Sequence, residues 1–350
     1  MKWDVAIGNP PYQDSTLGDN KGYAPPVYHL FMEAAYQVAD KVELIHPGRF
    51  LFNAGSTPKN WNQKMLNDPH FKVLQYEQDA STVFNNTSIM GGIAVTYRDR
   101  NKEFGAIETF TAYPELNDIL GKVKAHPSFC GVDSIAISRT VYRLTELLHR
   151  DYPEAINQLS SGHAYDMASN IFERLPQVFF DSKPKSGGAY VKMLGRKSGD
   201  RAYMYIKREY VKEAPNLEAY KIVLARADGA SGTIGNPIPA RIIGTPSIEG
   251  PLTGTTESFL SIGVFKSLEE AKNALQYVKT KFARTLVGIL KTTQDITPDK
   301  WKYVPLQDFT DASDIDWTKP IPEIDRQLYS KYDLDQSEID FIETHVKEME

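Results

Sequence analysis

The stretch Trp3-Asp4-Val5-Ala6-Ile7-Gly8-Asn9-Pro10-Pro11-Tyr12 decides how the first part of this chain is read. A short apolar run stops at Asn9-Pro10-Pro11, and proline cannot continue a central strand because it has no N–H for the ladder. The run predicts a strand, and the prolines predict its end. Working outward, Val27, Leu30, Phe31, Ala34, Ala35 and Val38 recur at helical spacing. Lys41-Val42-Glu43-Leu44-Ile45-His46-Pro47 predicts a second strand closed by a Pro-Gly turn. Trp61, Met65 and Leu66 mark a helix that Asn67-Asp68-Pro69 ends. Phe71 to Tyr76 and Gly92 to Tyr97 predict two more strands, and Ile107 to Phe110 a fifth. Alternating strands and helices predict an α/β fold with a doubly wound, Rossmann-like parallel sheet. Such sheets hold ligands at the carboxyl ends of their strands, where the Asn9 loop falls.

The rest of the chain has a different texture. A weak pattern over 111–140, with Ala125-His126-Pro127-Ser128 as a boundary, divides the sequence into domains at 1–125 and 126–350. Val141 to Leu148 is predicted as a helix. Between 160 and 265, glycines, prolines and short alternating runs such as Ala202 to Ile206 predict a mixed, β-rich α+β domain. Ser267-Leu268-Glu269-Glu270 has the form of a capping box opening a helix to about Lys279, which Arg284 to Lys291 continues. Asp335-Gln336-Ser337-Glu338 opens a last helix.

Composition excludes several classes. At 350 residues, 41% hydrophobic and 24% charged, the chain can bury two cores of an ordinary soluble protein. No apolar run approaches the roughly 18 residues that span a bilayer, and Asp4 interrupts any signal-like start, so the chain reads as soluble and cytoplasmic. Cys130 is the single cysteine, which rules out an internal disulfide and a cysteine-based metal site. It is read as an inert, packed thiol. Asp295, Asp299, Asp308, Asp311, Asp314 and Asp316 lie in predicted loops and read as a solvated acidic segment, with no metal site expected. The net charge of −5 conceals an uneven spread: Lys183 to Lys212 holds nine Lys or Arg against Asp200 and Glu209. Lys183, Lys185, Lys192, Arg196, Lys197, Arg201, Lys207 and Arg208 are candidate phosphate contacts, with Tyr190, Tyr203 and Tyr205 interleaved.

The chemistry of Asn9-Pro10-Pro11-Tyr12 is more specific. The lone pair of an exocyclic adenine amine is delocalised into the ring, so the nitrogen is a poor nucleophile. Two acceptors that engage its hydrogens draw it toward tetrahedral geometry. The Asn9 side-chain oxygen and the Pro10 carbonyl suit that role, and the prolines fix φ and hold both acceptors outward. Tyr12 offers a flat face for an extruded base.

These residues resemble the catalytic motif of the gamma-class N6-adenine DNA methyltransferases of restriction-modification systems, in particular the type IIG enzymes. The likeness continues in Leu44-Ile45-His46-Pro47-Gly48-Arg49-Phe50-Leu51. It continues again in Thr82-Val83-Phe84 followed by Gly91-Gly92-Ile93-Ala94-Val95, where the family has a hairpin whose aromatic packs on the flipped base. The resemblance implies Asn9, Pro10 and Tyr12 as catalytic residues and Phe84 as the partner of Tyr12 in sandwiching adenine. Phe50 and Tyr97 read as core. The stretches Tyr205 to Tyr210, Thr255 to Leu260, Tyr277 to Phe282, Val304 to Phe309 and Leu328 to Ile342 are similar to the DNA-recognition and C-terminal parts of type IIG enzymes.

The resemblance implies double-stranded DNA as substrate and S-adenosylmethionine as methyl donor. In that family a Gly-rich strand-to-helix turn upstream of the catalytic loop holds the donor, and no such turn precedes Asn9 here; Gly187-Gly188 lies in a polar, basic stretch. The sheet is therefore expected to lack its cofactor-binding strands and to expose Val5 to Ile7 as an apolar edge. That edge is expected to be covered by an N-terminal methyltransferase or nuclease half, by a second copy, or by a local rearrangement. A non-catalytic DNA-recognition module and an inactive remnant are the alternatives.

Overall fold

The computed structural model describes the chain except residues 1–2, 15–23, 54, 79, 85–88, 90–91, 186–187, 228–231, 236, 292–294 and 350. Gly91 and Gly187, which figure in the sequence reading, lie outside the described residues. The chain divides into two compact units, Met1–Asn117 and Asp118–Glu350, with the division falling inside helix α3 (Pro114–Ala125).

The first unit contains β1 (Trp3–Gly8), α1 (Tyr28–Val38), β2 (Ala39–Pro47), α2 (Lys59–Leu66), β3 (Phe71–Glu77) and β4 (Ile93–Asp99). Its sheet has the order β1-β2-β4-β3. β1 runs parallel to β2, with Ala6 opposite Val42 and Gly8 opposite Leu44. β4 is antiparallel to both of its neighbours. Hence β1, β2 and β3 share one direction and only β4 is reversed, which corrects the all-parallel expectation. The reason is connectivity: β3 and β4 follow one another directly, and β4 returns into the place between β3 and β2. Pro47, Ile93 and Glu77 stand side by side across the sheet, so the carboxyl ends of β2 and β3 lie at the same end as that of β1.

One core fills this unit. Tyr28 and Met32 of α1 and Trp61, Met65 and Leu66 of α2 bury against Val42, Leu44, Phe50, Phe71 and Ala94. Both helices therefore lie on one face of the sheet. The ring of Phe50 sits 4.9 Å from that of Trp61 and 6.2 Å from that of Phe71, contacts worth about 1 kcal/mol each beyond their burial. Phe50 is core as expected, whereas Tyr97 is half-buried.

Two expectations change here. Of the stripe that marked α1 as a helix, Leu30, Phe31, Ala34 and Val38 are exposed and Val27 and Ala35 half-buried, while Tyr28 and Met32 turn inward. The helix is real, but its buried face uses bulkier residues one position away from the aliphatic stripe. Residues 107–110 form no strand: Glu108 takes a left-handed φ of 56°, and the Phe110 ring joins Phe52 and Tyr76 in a three-ring cluster.

The second unit contains β5 (Ala136–Ile137), α4 (Glu146–Asp151), α5 (Ala155–Gln158), α6 (Ile171–Arg174), β6 (Tyr190–Lys197), β7 (Asp200–Lys207), β8 (Tyr220–Ala225), β9 (Ser247–Glu249), β10 (Thr253–Thr255) and β11 (Phe259–Phe265). It closes with α7 (Leu268–Lys279), α8 (Lys281–Leu290), α9 (Ile321–Lys331) and α10 (Gln336–His345). The strands form two sheets, β10-β6-β7 and β5-β11-β8-β9. β6 and β7 are a hairpin turned by Ser198 and Gly199, both at positive φ, the turn whose twist matches that of antiparallel strands. Ser267 accepts the Glu270 N–H at the start of α7, but the Glu270 carboxylate takes the Lys266 N–H, one residue earlier than a full capping box requires. The box is complete at Asp335 and Glu338 of α10.

The helix predicted from Val141 begins only at Glu146. Arg143 and Leu144 instead bridge Asp166 and Val211 in extended form. Cys130 is exposed rather than packed: its carbonyl accepts from Leu306 N at 2.7 Å in an extended pairing that turns the side chain outward. No helix among the described residues is long and apolar enough to cross a membrane.

Candidate active site and nucleic-acid face

The Asn9 loop leaves the carboxyl end of β1, the outer strand of its sheet. Among the described residues nothing pairs with the other edge of β1, and Trp3, Val5 and Ile7 are 60%, 49% and 76% exposed. The loop is fixed on its far side. Val27 N donates to the Tyr12 carbonyl at 3.1 Å and Asp14 N to that of Pro25 at 2.9 Å, which ties it to the start of α1. Asn9 is exposed and Pro10 half-buried.

Tyr12 is half-buried with its ring against the core of the first unit. Its hydroxyl is buried without a well-formed hydrogen bond, and burial raises its pKa. The Asn9 side chain opposes that rise.

The segment after β2 meets the same end of the sheet. His46 is fully buried, with its ring stacked on Tyr28, and burial pushes its pKa down to about 4. Tyr28 is pushed up to about 12 by burial, against a hydrogen bond with Thr57. Thr57 in turn donates to Asn62 Oδ1 at 2.7 Å, and Asn62 Nδ2 donates to Asn53 Oδ1 at 3.3 Å. This polar chain, buried at Thr57 and Asn62, was not singled out from sequence; the signal was Asn53 and Gly55, residue types that accept positive φ, just ahead of Thr57-Pro58. Phe84 is half-buried in the loop joining β3 to β4, which opens beside Glu77 and closes beside Ile93. The topology therefore brings the Asn9, Gly48 and Phe84 segments to one end of the sheet. Gly92 holds the latter two together: its carbonyl accepts from Gly48 N at 2.9 Å.

In the second unit the register sorts the basic residues. Antiparallel partners share a face, and β6 and β7 pair Tyr190 with Lys207, Lys192 with Tyr205, Leu194 with Tyr203 and Arg196 with Arg201. Lys192, Arg196, Arg201 and Lys207 thus lie on one face with Tyr190, Leu194, Tyr203 and Tyr205, where Tyr190 is buried and Leu194 packs into a core with Val223, Ala225 and Phe259. The opposite face, with Val191, Met193, Met204 and Ile206, is core. Lys192 Nζ stands 4.4 Å from the Tyr203 ring centroid and 3.5 Å from the Glu249 carboxylate. Arg196 donates to the Gly199 carbonyl at 2.7 Å, and Lys207 lies over the Tyr210 ring and 3.4 Å from Glu209. Tyr203 keeps its proton, its pKa pushed up to about 12 by burial and by Glu249.

The other four candidates stand apart from that face. Lys197 falls on the alternate side and pairs with Asp181 at 2.7 Å. Arg208 is occupied by Glu213, by Glu218 at 3.8 Å and by the Val211 carbonyl at 2.8 Å. Lys183 and Lys185 are exposed in the segment that precedes β6.

Residues 1–84 match the Eco57I restriction-modification methylase family. The matched segment begins with β1 and the Asn9 loop and ends at Phe84, and it supports a DNA methyltransferase of restriction-modification type. No curated protein matches the chain. Within the methylase segment, none of β1, β2 and β3 is followed by a Gly-rich strand-to-helix turn among the described residues. β1 is followed by two prolines, and Arg49–Phe52 and Ala80–Thr82 are single 3-10 turns.

Proposed function

We propose that this chain supplies the adenine-holding and DNA-recognising parts of an N6-adenine DNA methyltransferase, with S-adenosylmethionine held by a separate strand-turn-helix unit. The observation that carries the reading is Asn9-Pro10-Pro11-Tyr12 at the carboxyl end of a strand whose outer edge is apolar and, among the described residues, unpaired. The Asn9 oxygen and the Pro10 carbonyl accept the two hydrogens of a flipped adenine amine, and Tyr12, with Phe84 opposite, stacks on the base. S-adenosylmethionine, when bound at its own site, would supply the methyl of a sulfonium and leave as the thioether. The residues here hold the amine, which sheds its proton to water once it is cationic, so no base of shifted pKa is needed. The bare edge of β1 suits main-chain pairing with the strand that bears the donor site. The β6–β7 face, with basic and tyrosine side chains alternating, suits the phosphates of double-stranded DNA.

The test is reconstitution. The full chain is mixed with a polypeptide carrying a donor-binding half, labelled S-adenosylmethionine and duplex DNA, and the nucleosides are analysed. N6-methyladenine is the expected product, and Asn9→Ala abolishes it while DNA affinity is kept. Methylation at cytosine, or undiminished activity in Asn9→Ala, would overturn the assignment.

A further inference from the structure

Two guanidinium groups converge on Thr245, one from the basic stretch marked by sequence, Arg201, and one from outside it, Arg241. Arg201 of β7 directs Nη2 to the Thr245 carbonyl at 3.5 Å, and its guanidinium lies 5.1 Å from the Phe259 ring centroid. Arg241 donates from Nη2 to Thr245 Oγ1 at 2.9 Å. Among the described residues, neither guanidinium lies within ion-pair distance of a carboxylate, whereas Lys192, Lys197, Lys207 and Arg208 all have one. Like charges gathered at one point without a carboxylate are the arrangement that an anion completes.

The backbone under Arg241 is held in an unusual shape. Ile242, fully buried, has a φ of 69°, a conformation that crowds a β-branched side chain. Ile243 N and Arg284 Nη1 both donate to the Arg241 carbonyl, at 2.9 and 3.1 Å. Arg284 is itself fully buried in α8. Its Nε reaches the Lys279 and Thr280 carbonyls, while Nη2 is buried with no hydrogen-bond partner among the described residues. A buried cation with an unmet donor is costly, and here it fixes the turn that presents Arg241.

We propose that Arg201 and Arg241 clamp one phosphate of bound duplex DNA at Thr245, with Arg284 as the positioning residue. The clamp extends the β6–β7 face past the hairpin onto the 241–245 turn. It rests on the reading of this unit as DNA-binding, and its test separates the two.

Binding of the full chain to a 20-base-pair duplex is followed by fluorescence anisotropy across a salt series. Arg241→Ala and Arg201→Ala should each weaken binding roughly tenfold, the size of one charge-assisted hydrogen bond. Each should also lower the slope of log K against log salt by about 0.9. The double variant should lose little more than either single one, because the two groups hold one phosphate. Arg241→Lys keeps the charge and should retain most of the slope; it also reports if Arg241→Ala disturbs folding. Unchanged affinity in Arg241→Ala, or fully additive losses, would overturn the clamp while DNA binding stood. No binding by the unaltered chain at low salt would overturn the DNA reading itself.

Discussion

The imidazole of His46 lies flat on the ring of Tyr28, with 5.7 Å between centroids and 7° between planes. Its Nδ1 is 3.2 Å from the Pro47 carbonyl and its Nε2 2.7 Å from Thr96 Oγ1. A carbonyl can only accept, so the ring proton sits on Nδ1 and the Thr96 hydroxyl donates to Nε2. The ring is neutral, because its burial disfavours the charged form.

Acid should therefore loosen the first unit before its carboxylates titrate. His46 takes up its proton near pH 6.5 when unfolded and near pH 4 when folded, so stability is present above pH 6.5 and lost as pH falls toward 4. Urea unfolding should show about 2 kcal/mol less stability at pH 5 than at pH 7 from this group. A His46→Gln variant should lack that component; equal pH sensitivity in both proteins would remove His46 as its source.

Tyr12 separates stacking from hydrogen bonding. Its hydroxyl is buried without a well-formed bond, so Tyr12→Phe should leave stability within about 1 kcal/mol and preserve reconstituted methylation. Tyr12→Ala removes the ring packed on the core and should cost about 2 kcal/mol and most of the activity. A Phe variant as impaired as the Ala variant would assign the role to the hydroxyl instead.

Ile7 is 76% exposed on the outer strand. Ile7→Lys should change the stability of the chain alone by no more than about 0.5 kcal/mol. Light scattering should show less self-association, and the variant should fail to assemble with a donor-binding half. Normal assembly would show that the β1 edge is not where the two meet.

Gly92 has a φ of 66°, and a Cβ there would stand 2.4 Å from the Glu77 carbonyl oxygen. Gly92→Ala should destabilise the first unit by about 3 kcal/mol, read from its urea midpoint, because backbone rather than a flexible side chain must yield. An unchanged midpoint would mean that the β3–β4 connection relaxes freely.

Much of this was legible in the residues, and the gaps have physical causes. The strand before Asn9-Pro10-Pro11, both helices of the first unit and the α10 capping box follow from local pattern, which depends on near neighbours only. The reversal of β4 did not, because a run such as Ile93 to Tyr97 reads alike in either direction. The α1 stripe misled for a related reason: Leu30 and Phe31 are as apolar as Tyr28 and Met32, and periodicity marks a helix without saying which face the sheet takes. Residues 107–110 looked like a strand by composition, but Phe110 is held by two aromatic rings distant in sequence. On the basic stretch, counting charges could not separate Lys192 and Arg201 from Arg208; the pairing of β6 with β7 did. Arg241 has no basic neighbour in sequence and emerges only through Thr245 and Arg284.

The strand that bears Asn9 buries none of its six residues completely. Among the described residues its main-chain bonds run to β2 on one edge, with Ala6 packed on the core, so β1 should be the first part of its sheet to exchange amide hydrogens. A chain built this way carries an interlock. On the proposed reading, a strand that pairs with the outer border of β1 also stiffens the mount of the Asn9 loop, so completing the assembly and readying the loop become a single step.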